Sequence, residues 1–158
     1  MAITNYSNRT VDISMFGLAV YQPGIGEEQT DITLALQTGG RVCTGIAKLA
    51  QKFLLVLLSS NNYYDMAWGT ELSQALLTGS VQKAYQNLSN SMGGAIANAI
   101  DLLRSQETDA TPDDERVGSA QVVSMTQDTN TGSVTASIVL QSSAGNSTVL
   151  VTPVYKVV

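Results

Sequence analysis

From Arg116 onward the hydrophobic pattern of the chain changes from a helical period to a period of two. That change confines the fold to helices packed against a C-terminal antiparallel sheet. Val117 to Gln127 reads as a strand and DTNTG at 128–132 as a turn; Val134, Ala136, Ile138 and Leu140 then alternate with Thr135, Ser137, Val139 and Gln141. SSAGN at 142–146 turns the chain again into STVLVTPVYKVV, residues 147–158. The expected product is a three-strand meander. In its last strand Val149, Val151, Tyr155 and Val157 are expected to face the helices, with Leu150, Val154 and Val158 on the other face beside Thr152 and Lys156. A strand that is apolar on both faces is covered on both, and in a domain this small the second cover is expected from another chain. Lys156 is the only charge in this stretch, and Pro153 withholds one backbone donor. An edge so lightly guarded is either paired inside its own sheet or kept to pair with another chain.

Before Arg116 the period is helical twice. Val42, Ile46, Leu49, Phe53 and Leu57 recur at helical spacing over about 42–58, with Thr44 as a candidate cap and Lys48, Gln51 and Lys52 assigned to the other side. A longer helix over about 80–107 carries Val81, Tyr85, Leu88, Met92, Ile96, Ile100 and Leu103 on one face. Gly93 and Gly94 weaken its middle by roughly 1 kcal/mol each relative to Ala. They mark either a kink or a place where another helix comes close, with Ala97 continuing the small-residue strip. ELSQALLTG, after Gly69, suggests a short helix between the two. Upstream, residues 10–20 and 31–37 lean toward strand on either side of the turn-rich YQPGIGEEQT, an irregular hairpin or arm. The expected architecture is α+β, with an N-terminal β-rich arm over 1–30 and a single domain over 31–158 in which the helices pack on the meander.

A length of 158 residues suits one domain. Only 13% of residues are charged, against about a quarter in ordinary domains, and a surface this poor in charge is usually covered by something. Net charge is −5 and the eight Lys and Arg are scattered, so no basic stripe exists to follow a nucleic-acid backbone. The longest apolar run, Phe53 to Leu58, is too short to cross a bilayer, and MAITNYSNRT lacks the basic start and apolar run of a secretory signal. The expectation is a soluble protein made in the cytoplasm. Histidine is absent, which removes Ser-His-Asp and Cys-His nucleophiles and every His-ligated metal site. Two acidic clusters remain, Glu27, Glu28 and Asp31, and Asp113, Asp114 and Glu115. Both are expected to be solvated in polar loops, unlike the paired, partly desolvated carboxylates of a glycosidase. PGIG at 23–26 lacks the helix and lysine of a phosphate loop. The single Cys43 is read as a small buried hydrophobe in a helical stretch, unable to form an intrachain disulfide. No catalytic, cofactor-binding or metal-binding residue is expected.

DITLALQTGGRVCTGIAKLAQKFLLVLLSS, then YYDMAWGTELSQALLTG, then a long helix, PDDERVGSAQV and a terminal hairpin together resemble the baseplate-wedge and sheath-initiator family of contractile phage tails. The likeness covers about residues 30–158, and its most telling part is Trp68, Gly69, Thr70 and Leu72 ahead of the second helical region. Members are sometimes labelled lysozyme-like, but the resemblance implies a structural role in the virion, at the tail baseplate, assembled in the host cytoplasm. It implies about six copies in a ring around the end of the tail tube, with tail sheath, baseplate wedge and tube or hub proteins as partners and no nucleic acid or membrane. The family's acidic-Pro-Arg motif, which docks on the helical core of the wedge, falls on Asp114, Glu115 and Arg116, with Glu115 at the Pro position. The terminal residues Val154, Tyr155, Lys156, Val157 and Val158 are implied to pair with the first ring of sheath subunits by β-augmentation. A connector or terminator ring of a tail without sheath initiation is the alternative, and a carboxylate hydrolase or an unrelated binding module stays behind both.

Overall fold

A computed structural model describes residues 12–13, 42–59, 81–128, 130 and 132–155. Within them two helices, α1 (Gly45–Leu58) and α2 (Val81–Gln106), accompany an antiparallel sheet of β3 (Val117–Gln127), β4 (Val134–Ser142) and β5 (Ser147–Tyr155), in the order β3-β4-β5. A two-residue pair, β1 (Asp12–Ile13) with β2 (Val42–Cys43), lies ahead of α1. The architecture is α+β, with the meander that the alternating pattern predicts. Of the N-terminal arm, only Asp12 and Ile13 belong to the described residues; the 31–37 run, the Trp68–Leu72 stretch, the short helix after Gly69 and Lys156 to Val158 lie outside them.

Local chemistry sets the turns. Asp128 accepts from Asn130 N at 2.8 Å and from Gly132 N at 2.7 Å, and Gly132 and Gly145 take φ of 69° and 85°, which favour glycine. Ser142 N donates to Asn146 O at 2.8 Å and closes the second hairpin. Two bulges shape β3, one at Gly118 and one at Val123, where the register against β4 shifts. A side chain at Gly118 would put its Cβ 2.9 Å from Ser142 O, so the first bulge requires glycine.

The core sits between the helices and one face of the sheet. Phe53, Leu54 and Leu57 of α1, Leu88, Met92 and Ile96 of α2, and Ile138, Leu140 and Leu150 of the sheet form one cluster. α2 packs on β3 and on α1, and α1 reaches β4 and β5. From Tyr85 onward the α2 stripe follows its predicted face, joined by Ala95 and Ala99.

Four expectations are corrected. First, α1 begins at Gly45, because Val42 and Cys43 pair with β1 as strand; Thr44 takes the cap position without a side-chain cap bond. Second, Lys48 and Gln51 are buried at 5% and 1% exposure rather than turned to an outer side. Third, the faces of β5 are reversed: Thr148, Leu150 and Thr152 are buried, while Val149 and Val151 are half-buried on the outside. The register explains this, since Thr148, Leu150 and Thr152 stand opposite the buried Leu140, Ile138 and Ala136, and directly opposed residues share a face. Fourth, Glu115 is buried and not solvated with its neighbours.

Candidate functional site

The acidic-Arg stretch sits where α2 gives way to β3, and folding divides its three residues. Glu115 points inward. Its Oε2 accepts from Lys48 Nζ at 2.8 Å and its Oε1 from Gly45 N at 3.2 Å, so it caps α1 from 70 residues away in sequence. An anion at a helix N-terminus is also favoured by the helix dipole. Asp114 lies against the same helix start: a Cβ at Gly45, whose φ is 61°, would meet Asp114 Oδ2 at 2.9 Å. Arg116 binds the loop before it, donating to Thr108 O at 2.9 Å, Asp109 O at 3.3 Å and Asp113 Oδ1 at 3.4 Å. Val117 N donates to Glu107 Oε1 at 2.7 Å, while Ser143 N and Ala144 N reach Arg116 O and Asp113 O at 3.0 and 3.1 Å. Just ahead of the three, Asp113 turns its carboxylate outward, its side chain 72% exposed.

Cys43 sits close to this junction, its Sγ 4.0 Å from Gln51 Oε1. Burial pushes its thiol above the ordinary value; Asp12 adds to that, Lys48 opposes it and Glu115 again raises it. Among the described residues no group of His, Cys, Asp and Glu could hold a metal ion, and no helix is long and apolar enough to cross a membrane. Glu27, Glu28 and Asp31 lie outside the described residues.

The sheet offers a different kind of surface. None of β3, β4 and β5 contains a charged residue. On the outer face the register lines up Gln121, Val139 and Val149, then Ser124, Ser137 and Val151. Within the three-stranded sheet β3 and β5 are the edges, and among the described residues each has one strand neighbour. Edges are ordinarily guarded by charge, proline or bulges. β5 has Pro153 and β3 has its bulges; neither has a charge. At the second bulge Val123 stands 62% exposed. Between β3 and α2 an open groove of about 560 Å³ is lined by Tyr85, Met92, Gly93, Ile96, Val122 and Met125 among others, with no charged side chain in its wall. Tyr85 Oη donates to Met125 O at 3.4 Å across it. Of the implied sheath-pairing residues, Val154 falls at a register shift between β4 and β5 and has no partner in the ladder, while Tyr155 stands opposite Val134.

Pattern reading did not find the Lys48–Glu115 pair, the Arg104 Nη2 bond to Gly118 O at 2.9 Å, or the projection of Val123. No local signal marks the first, since the partners are 67 residues apart.

Fold and site together define a small α+β protein whose three-stranded sheet is uncharged and, among the described residues, has β3 and β5 as its outer strands. No family model, curated protein or solved structure matches the chain.

Proposed function

We propose that the protein is a non-catalytic assembly component that joins other chains by main-chain pairing along its C-terminal sheet. The observation that carries this reading is the absence of charge from all three strands, two of them edges. An uncharged edge supplies backbone donors and acceptors to an incoming strand, while alternate side chains select register. The setting is the baseplate of a contractile phage tail, where β5 links the wedge and the tube end to the first sheath ring. That setting rests on the sequence resemblance alone.

Removing Tyr155 to Val158 tests it. The deletion takes one pair, Val134 with Tyr155, from the described ladder and leaves Leu150 and Thr152 in the core. Thermal melting should stay near that of the intact chain. Each net hydrogen bond lost to a partner is worth roughly 0.5–1.5 kcal/mol, multiplied around a ring, so sheathed tails should disappear from a complementation assay. Normal melting together with normal numbers of sheathed tails would refute the reading.

A further inference from the structure

We propose that β3 and the groove beside it bind a second copy of this chain across a two-fold axis, extending the sheet through paired β3 edges. The proposal goes beyond the baseplate reading and does not depend on it.

The occupant follows from charge and symmetry. Near the axis of an isologous contact each group meets its own copy, so a charge there is repelled. Among the described residues this surface has none: β3 is uncharged, the groove wall is uncharged, and α2 shows Gln86, Ser89, Asn90, Gly93, Gly94, Ala97 and Asn98 to solvent before its first described exposed charge at Asp101. An ordinary solvated helix face would carry charge. A charged strand entering the groove would lose its hydration with nothing to pair with it.

Position supports the same conclusion. Val123, the exposed bulge residue, is close to the middle of the 11-residue β3, and Gly93–Gly94 is in the middle of the 26-residue α2. Gly93 and Val123 line the same groove. A two-fold axis normal to the sheet at this point brings the two β3 strands together antiparallel and the two α2 helices past each other at their glycines. Nothing lies within 4 Å of where a Cβ would be on either glycine, so the approach is open.

The side-chain faces choose the register. Ala120, Val122, Met125 and Gln127 are half-buried toward α2, while Ser119, Gln121, Ser124 and Thr126 are exposed. Opposed residues must share a face. An axis between Val123 and Ser124 satisfies this on both sides: Val122 pairs with Met125 of the copy and Ala120 with Gln127 inside, and Gln121 pairs with Thr126 outside. Slipping the pairing by one residue, which moves the axis onto Val123 or onto Ser124, sets a half-buried residue against an exposed one in every pair flanking the axis.

The experiment combines sedimentation over a concentration series with disulfide trapping in a Cys43→Ala background. The full chain should show a concentration-dependent dimer. Val123→Lys, at an exposed position, should raise the dimer Kd at least about a hundredfold through like-charge contact at the axis, with unchanged melting. Gln121→Cys combined with Thr126→Cys should give a covalent dimer on oxidation, and either cysteine alone should not. A chain that stays monomeric to its solubility limit would overturn the proposal. So would protection of the β3 amides from hydrogen exchange in a monomer, which would show that the chain covers its own edge. Crosslinking of a Gln121→Cys chain to a Val149→Cys chain in place of the expected pair would replace two-fold pairing by a head-to-tail array.

Discussion

Lys48 and Glu115 are 6% and 5% exposed along their side chains and meet at 2.8 Å, locking the start of α1 to the loop ahead of β3. Removing one member of a buried pair commonly costs about 3–5 kcal/mol, whereas neutralising both often costs far less. Lys48→Met should therefore destabilise strongly. Glu115→Gln should cost less than Glu115→Ala, since the amide oxygen still accepts from Gly45 N. The double variant Lys48→Met with Glu115→Gln should recover much of the loss, giving a clear coupling in a urea-denaturation cycle. Additive effects would mean that the two charges act independently. This pair also shows where pattern reading fails. Asp113, Asp114 and Glu115 look alike in sequence, and only the loop's turn, with Glu115 N on Pro112 O at 2.9 Å, sends the third inward. Lys48 sits one residue before the buried Leu49 and follows Gly45 along the helix, a geometry that a lysine assigned to solvent by its charge does not reveal.

At the scale of elements, the strands were legible in the sequence because period-two alternation and Gly/Asn/Asp-rich turns agree over 117–155. α2 was legible for the same reason, as its apolar stripe is long and single-sided. The faces of β5 were not, because Val149 and Val151 are as apolar as Leu150, and alternation identifies two faces without saying which meets the helices. Only pairing with β4, where Ala136, Ile138 and Leu140 are buried, decides it. Substitution checks the assignment. Leu150→Ala should cost about 2–5 kcal/mol as a core truncation, while Val149→Ala, half-buried on the outer face, should cost under about 1 kcal/mol. Equal losses in chemical denaturation would return Val149 to the core.

On the scale of the whole molecule, charge is unevenly placed. Asp101, Arg104, Glu107, Asp109, Asp113, Asp114, Glu115 and Arg116 crowd into the last turns of α2 and its junction with β3, whereas β3, β4 and β5 have no charge. Arg116 binds within the junction and Glu115 reaches Lys48 of α1, so this charge is used inside the fold, whereas β3 and β5 of the neutral sheet each have one strand neighbour among the described residues. An assembly component held by strand pairing accounts for that division better than a solvated monomer, whose edges would need charge to stay apart. The most direct measurement is a cryo-EM map of the assembled tail at a resolution that separates strands. The account predicts that each copy lies at the baseplate with a strand of a neighbouring chain hydrogen-bonded along β5, Ser147–Tyr155. A β5 edge facing solvent in the assembled particle, or a particle that lacks this chain, would contradict it.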